Sequence, residues 1–300
     1  MKKIIMLLIT IMLAVSLTAA VAETPSFQVV APNGAPAVSI AVLAAENPES
    51  FTFISADTIA AAFTKEEADF IIAPINAGAK LFKAGKSQYK LAAVVTWGNL
   101  FFASQRDDFV PEDMNTEKLT IFGADTINAS VAIYALKQNG IEPILADPLA
   151  GAAETKAVLE SDPEAIVLTA EPMLTAAKKN NDKITAYSVN DMLEKATGMD
   201  GYTQAGIFVK AAAIQDHSEE VNAFLERMKN SADLCSSNTD EVAAALSTLE
   251  MSFPKPAIAN CSIRFVYASD AKDMIEKTAA IDPAQFGGEL PSDEFYYAVQ

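Results

Sequence analysis

The chain has 300 residues and a formal net charge of −17, from 22 basic and 39 acidic side chains. So acidic a chain repels nucleic acid and anionic lipid head groups, which excludes both as expected partners. Hydrophobic residues make up 51% of the sequence, which indicates a folded protein, and the length suits two lobes better than one core.

Residues 1–22 have the pattern of a signal peptide. A pair of lysines precedes a mostly apolar run at 4–17, which is short for a bilayer span, and Ala20 and Ala22 have the spacing of a cleavage site. We predict cleavage before Glu23, with an uncleaved N-terminal anchor as the alternative. No cysteine stands directly after the apolar run, so we expect an exported protein without a lipid anchor.

The first part of the mature chain alternates apolar runs with helical patterns. Near-continuous apolar runs predict strands buried on both faces, as in a parallel sheet covered by helices. We expect Asp57 to cap the second helix and Asn76 the third. The predicted elements are strand 27–31, helix 36–46, strand 50–55, helix 57–63, strand 69–73, helix 77–85 and strand 89–97.

A second series of the same kind follows. We expect Thr126 to cap its first helix and Glu171 to be the first residue of its third. The predicted elements are strand 118–123, helix 127–140, strand 143–147, helix 152–161, strand 164–170, helix 171–180, strand 183–189 and helix 190–198. After a strand at 204–210, the predicted helices are 218–235, 240–249 and 270–281.

Two apolar segments connect the two series and predict how the chain divides. Residues 98–104 are too apolar for a flexible linker and indicate a strand that leaves the first series. Residues 204–210 have the same character and return the chain to it. We therefore predict an α/β protein of two lobes, with 23–98 and 205–300 in lobe I and 99–204 in lobe II.

Sequence signatures of catalysis and of metal or cofactor binding are missing. The chain contains no glycine-rich phosphate loop, no nucleophile elbow and no zinc-protease motif. Its one histidine, His217, stands at a predicted helix start and is expected on the surface. We expect no cofactor, no bound metal and no catalytic residue. A catalytic pair of carboxylates stays open as an alternative, because such a pair leaves no local sequence signature.

Four loops that join a strand end to a helix start are the best candidates for a ligand site. In open α/β sheets, ligands lie beyond the carboxyl ends of the strands, where helix N-termini present unpaired N–H groups. For any single loop, ordinary helix capping is the alternative. None of the loops contains lysine or arginine, which favours a neutral or amine-bearing ligand, or a monoanion held by helix ends, over a dianion. The loops are APNGAPA (31–37), APINAGA (73–79), GADTINAS (123–130) and TAEP (169–172).

Two further features each leave two interpretations open. Cys235 and Cys261 predict a disulfide in an oxidising compartment, and two buried free thiols are the alternative. Trp97, beside the first crossing, either stacks on a ligand ring or packs at the hinge.

Segment 69–104, DFIIAPINAGAKLFKAGKSQYKLAAVVTWGNLFFAS, resembles the solute-binding proteins of ABC importers. Matching features are the opening PNGAPA, LTAEPMLTAA, and a tail that runs from ANCSIRFV to FGGELPSDEFYY. The resemblance is to the branch that includes the nitrate, sulfonate and taurine binders and the binders of thiamine pyrimidine precursors. It implies a two-lobed type 2 periplasmic-binding-protein fold with a two-strand hinge, and a periplasmic or secreted monomer that docks on a membrane permease.

These observations together indicate an extracytoplasmic protein that captures a small organic solute between its lobes and delivers it to an ABC importer. The alternative is an enzyme on the same fold that acts on a small pyrimidine-like metabolite. The expected ligand contacts are Asn33, Gly34, Ala35, Asn76, Ala77, Trp97, Thr126, Ile127, Asn128, Glu171 and Gln204.

Overall fold

The computed structural model describes residues 26–298. The predicted signal peptide, residues 1–22, and its cleavage site lie outside the described residues. Within the described part of the chain, eleven strands form two sheets and thirteen α-helices pack around them. No helix between 26 and 298 is long and apolar enough to cross a bilayer.

Strands and helices alternate through most of the chain, as the sequence predicts. The strands are β1 (Val29–Pro32), β2 (Phe51–Ile54), β3 (Phe70–Pro74), β4 (Tyr89–Thr96), β5 (Leu100–Ser104), β6 (Lys118–Thr120), β7 (Ile144–Leu145), β8 (Ile166–Ala170), β9 (Thr185–Ser188), β10 (Ala205–Lys210) and β11 (Ile263–Tyr267). The helices are α1 (Ala35–Ser39), α2 (Ala41–Glu46), α3 (Ala60–Lys65), α4 (Ile75–Lys83), α5 (Ile127–Gln138), α6 (Ala152–Ser161), α7 (Met173–Asn180), α8 (Val189–Thr197), α9 (Ala211–Asp216), α10 (Ser218–Ser237), α11 (Thr239–Thr248), α12 (Lys255–Ala259) and α13 (Lys272–Ile281). Short 3-10 helices lie at Pro48–Ser50, Pro111–Asn115, Pro283–Phe286 and Asp293–Phe295.

The first sheet has six strands in the order β11-β4-β10-β3-β1-β2. Strand β1 runs parallel to β2 and β3, whereas β10 runs antiparallel to β3 and β4. Successive residues of β3 point to opposite faces and enter different apolar clusters, Ile71 into one and Phe70 and Ile72 into the other. Burial on both faces explains why this strand is a continuous apolar run in the sequence.

The second sheet has five strands in the order β7-β6-β8-β5-β9. Strand β6 is parallel to β7 and β8, and β5 is antiparallel to β8 and β9. Strand β8 is again buried on both faces, because Leu168 and Val167 belong to different apolar clusters. The edge strand β7 has only two residues, and both are exposed.

The two sheets take their strands from different parts of the chain. The first sheet uses strands before residue 98 and after residue 204, and the second uses those between. On this basis we propose that lobe I comprises 23–98 and 205–300 and that lobe II comprises 99–204. The start of the second crossing segment is hydrogen-bonded to the end of β4, just before the first crossing segment. The Gln204 and Ala205 N–H groups donate to the backbone oxygen and hydroxyl of Thr96, both at 3.0 Å.

Several predicted helix starts differ from the observed ones. The predicted helix 36–46 is interrupted at Ile40, between α1 and α2. Asp57 is not a cap, because a hydrogen-bonded turn delays the start of α3 to Ala60. Asn76 is not a cap either: α4 begins at Ile75, whose N–H donates to the Gln204 carbonyl at 3.1 Å and needs no side-chain partner.

The helices of the second series fit their predicted starts more closely. Thr126 caps α5 as predicted, because its Oγ1 accepts from the Ala129 N–H at 3.4 Å. Glu171, predicted as the first residue of a helix, lies two residues before α7 instead. Its side chain still reaches the first turn, where it accepts a hydrogen bond from the Thr175 N–H.

The predicted disulfide is wrong, since Cys235 and Cys261 are both free and buried. Each thiol faces a backbone carbonyl: the Cys235 Sγ lies 3.6 Å from the Val38 oxygen and the Cys261 Sγ 3.1 Å from the Ala257 oxygen. Burial raises the pKa of the Cys235 thiol to about 12. The alternative, two buried free thiols in the core, therefore holds.

Candidate functional site

A cavity of about 730 Å³ is lined by residues from both proposed lobes. Pro32 and Pro74 reach it at the ends of β1 and β3 in the first sheet, and Ala170 at the end of β8 in the second. Strands β1 and β3 are parallel, so their carboxyl ends share one edge. The cavity thus lies beyond the carboxyl ends of strands, where ligands bind in open α/β sheets.

Six helices begin in the wall of this cavity. Each contributes one or more of its first three residues, where backbone N–H groups are unpaired within the helix and carry partial positive charge. The residues are Ala35 and Pro36 of α1, Ala60 of α3, Asn76 and Ala77 of α4, Ile127 and Asn128 of α5, Ala152 and Ala153 of α6, and Met173 of α7.

Ten of the eleven predicted contact residues line the cavity. They are Asn33, Gly34, Ala35, Asn76, Ala77, Thr126, Ile127, Asn128, Glu171 and Gln204. Gly34 has φ 102°, a left-handed conformation that disfavours other residues and brings the backbone of α1 to the wall. That these residues contact a solute stays a prediction.

Trp97 is the predicted contact that the structure does not bring to the cavity. Its ring is 3% exposed, and its Nε1 donates to the Arg264 carbonyl at 2.9 Å. The Arg264 guanidinium lies 4.1 Å from the ring centroid and pairs with Asp200 through two hydrogen bonds of 2.7 and 2.9 Å. These bonds lower the pKa of the Asp200 carboxyl. Trp97 therefore packs at the crossing segments, which was the alternative interpretation.

A polar network surrounds the second crossing segment beside the cavity. The Tyr202 hydroxyl donates to Asn128 Oδ1 at 2.7 Å, and Gln204 Nε2 contacts this oxygen at 3.3 Å and Asn99 Oδ1 at 3.2 Å. Tyr202 is fully buried, which raises the pKa of its hydroxyl. It does not line the cavity, but it holds Asn128, which does.

Glu171 is the buried charge of the cavity, with 4% of its surface exposed. Its Oε1 accepts from Thr175 Oγ1 and Asn260 Nδ2, both at 2.8 Å, and its Oε2 accepts from the Thr175 N–H at 3.0 Å. The N-terminus of α7 stabilises the carboxylate by about 0.3–2 kcal/mol. Among the described residues, no basic side chain forms an ion pair with it.

The remaining lining is mostly apolar or amide-bearing. Asp125, exposed at the rim, is the other charged residue, and no lysine, arginine or histidine in the described chain lines the cavity. Sequence reasoning missed Asn99, Phe253 and Gln285 as lining residues. Asn99 lies within the first crossing segment, 98–104, whereas the other two lie in C-terminal loops that no sequence pattern marks.

Several solved structures that share this fold are of ABC-transporter proteins. One, an ABC transporter protein from Parabacteroides distasonis, is 20% identical, with a TM-score of 0.79 over 91% of this chain and 99% of that one. Another, the periplasmic aliphatic sulphonate binding protein SsuA from Escherichia coli, is 14% identical, with a TM-score of 0.69 over 92% and 93% of the two chains.

A third structure of this fold is the alkanesulfonate-binding protein SsuA from Xanthomonas axonopodis pv. citri, bound to MOPS. It is 12% identical, with a TM-score of 0.61 over 89% of this chain and 95% of that one.

No protein-family model and no curated protein matches the sequence. The predicted two-lobed fold is confirmed, and the predicted resemblance to ABC-transporter binding proteins is confirmed as a likeness of fold.

Proposed function

We propose that the protein is an extracytoplasmic solute-binding protein that captures a small organic solute and delivers it to an ABC importer. The observation that carries the proposal is the cavity of about 730 Å³, lined by both proposed lobes and by the starts of six helices. The likeness of fold to ABC-transporter binding proteins supports it. Fold alone does not fix function, so the cavity has to carry the proposal.

The composition of the wall favours binding over catalysis. No cysteine, histidine or lysine lines the cavity in residues 26–298, so a hydroxyl such as that of Thr126 has no base there except a carboxylate. Of the two carboxylates, Glu171 is committed to three hydrogen bonds and Asp125 is exposed at the rim. A nucleophile with an oriented base is the arrangement that covalent catalysis requires.

The paired crossing segments supply the hinge that such a binder needs. The Tyr202 N–H donates to the Trp97 carbonyl at 3.2 Å, next to the bonds that join Gln204 and Ala205 to Thr96. A solute that contacts both lobes binds the closed arrangement more tightly than an open one and shifts the population towards it. A monomer in the periplasm or secreted medium, without a lipid anchor, and a membrane permease as partner complete the proposal.

Native mass spectrometry of the protein, purified without refolding, tests the proposal directly. We expect a bound small molecule, and small-angle scattering with and without it should show a more compact protein when it is bound. A thermal shift follows as well, since a ligand at 100 times its Kd adds about 2.7 kcal/mol to the free energy of unfolding. Chemical conversion of the molecule on the protein would favour the enzyme alternative instead.

A double variant links the cavity to transport. Asn76→Ala with Thr126→Ala removes two polar groups from the wall and is expected to reduce solute affinity and uptake. The matched control is Asn180→Ala with Thr116→Ala, which changes the same residue types at exposed positions away from the cavity. If the cavity variant takes up solute as well as the control does, the cavity is not the binding site.

A further inference from the structure

The cavity holds negative charge that the described protein does not neutralise. The carboxylate of Glu171 is almost fully buried and has no ion-pair partner, and Asp125 adds a second carboxylate at the rim. A carboxylate has about four acceptor positions, of which three are used here, so Oε2 keeps one. Buried charges in proteins are normally paired, so a cation would complement this position.

Acceptors of the chain engage three of the six helix starts around the cavity, which reduces the partial positive charge that these starts offer to a ligand. The carboxylate of Glu171 engages α7, the hydroxyl of Thr126 engages α5, and the carbonyl of Gln204 engages α4. Glu154 stands in the first turn of α6. The remaining two, α1 and α3, have only five and six residues, so few peptide dipoles add up in them.

An uncommitted amide lies on the other proposed lobe. Asn76 Oδ1 is buried and has no hydrogen-bond partner among the described residues, although Asn76 lines the cavity. The amides of Gln204, Asn99 and Asn128 instead bond to each other or to Tyr202. Among the buried polar atoms described in the cavity wall, Asn76 Oδ1 therefore lacks a partner, and Glu171 Oε2 keeps one acceptor position.

We infer that the solute is an organic cation, a protonated amine on an apolar body, with the ammonium group paired to Glu171. This inference rests on the proposed function, because it names the class of solute that the cavity takes. The apolar body has suitable walls within the same cavity. They are formed by Ile59, Phe122, Ile127, Met173 and Phe253.

Isothermal titration with three probes that share a phenyl ring tests the inference: benzylamine, the near-isosteric benzyl alcohol, and the anion benzenesulfonate. We expect wild-type protein to bind benzylamine roughly tenfold more tightly than benzyl alcohol, a difference of about 1.4 kcal/mol. Benzenesulfonate should bind most weakly. Glu171→Gln should reduce the preference for the amine to roughly threefold or less, whereas the rim control Asp125→Asn should keep most of it.

A second measurement on the wild type keeps the test independent of how well Glu171→Gln folds. The probe 1-benzylimidazole loses its proton near neutral pH, and its binding should weaken as the pH rises through that transition. Benzyl alcohol, measured in parallel, should show no such dependence. Equal affinity for the protonated and neutral forms of the imidazole would overturn the inference. It would also be overturned if Glu171→Gln lowers Tm but leaves the preference for the amine unchanged, because Glu171 would then only cap the helix.

The outcomes also separate this inference from the proposed function. If benzenesulfonate binds more tightly than benzylamine, or the molecule retained by the purified protein is an anion, the cation is wrong while a solute-binding role stands. If no probe binds and no small molecule is retained, both fail.

Discussion

Replacing Tyr202 with phenylalanine tests whether the polar network beside the cavity is built as the structure indicates. The change removes one hydroxyl, which donates to Asn128 Oδ1 at 2.7 Å and contacts Gln204 Nε2 at 3.2 Å. The ring stays and leaves no cavity larger than the lost oxygen. Neither partner is orphaned, because Gln204 still contacts Asn128 at 3.3 Å and Asn99 at 3.2 Å.

The magnitude follows from these contacts. A hydrogen bond whose partners remain satisfied contributes about 0.5–1.5 kcal/mol, so the two together contribute about 1–3 kcal/mol to the free energy of unfolding. For a chain of this size the Tm of Tyr202→Phe should fall by about 2–12 °C. Urea titration of both proteins measures the loss directly, provided that the slope with denaturant stays the same. Solute affinity should fall as well, because Asn128 in the cavity wall loses its shortest hydrogen bond.

The matched control is Tyr187→Phe. Its hydroxyl donates one bond, to the Phe109 carbonyl at 3.1 Å, and does not line the cavity. We expect a loss of about 0.5–1.5 kcal/mol with no change in solute affinity. A loss in Tyr202→Phe below about 0.5 kcal/mol would refute the network, and one above about 3 kcal/mol would mean that a buried polar group is left unpaired after all.

Three further predictions concern the core and the crossing segments. Gly78→Ala should lower the free energy of unfolding by about 1–3 kcal/mol in urea titration, because the added Cβ would lie 2.4 Å from two ring atoms of Phe208. The control Gly151→Ala should lower it by less than about 1 kcal/mol, because its Cβ meets only a flexible carboxylate. Both thiols should stay unreactive to Ellman's reagent at pH 8 until the protein is unfolded, because both are buried and burial raises the pKa of Cys235 to about 12. Thiols that appear in the unfolded protein only after a reductant is added would instead indicate a disulfide. The pKa of the Asp200 carboxyl is lower in the folded protein than its ordinary value of 3.8. Its contribution to the free energy of unfolding should therefore be complete above pH 3.8 and should be lost as the pH falls through the folded-state pKa. The stability difference between wild type and Asp200→Asn should shrink only in that acid range.

The sequence was sufficient for every strand except β11 and for the layer architecture, for a physical reason. Strands such as β3 are buried on both faces, so nearly every residue has to be apolar and the run is visible without knowledge of its neighbours. Helix starts were less predictable where the partner is distant. The start of α4 depends on the carbonyl of Gln204, and no local pattern around Asn76 contains that information.

The same distinction explains which site residues were predictable. Loops between a strand end and a helix start lie at the edge of the sheet in any α/β fold, so Asn33, Asn76 and Thr126 could be assigned from local sequence. The position of Trp97 depends on Arg264, which is 167 residues away in the chain. Likewise, the spacing of the two cysteines in the sequence does not reveal that each thiol faces a backbone carbonyl.

The distribution of unused hydrogen-bonding capacity connects the site to closure of the lobes. The amides near the second crossing segment satisfy one another, so a solute gains little by competing for them. Two groups with unused acceptor capacity are Asn76, just after a strand of the first sheet, and Glu171, directly after a strand of the second. A solute that uses both groups links the two sheets directly. Its binding energy then depends on the distance between the lobes, which is the differential affinity that a ligand needs in order to favour a closed state.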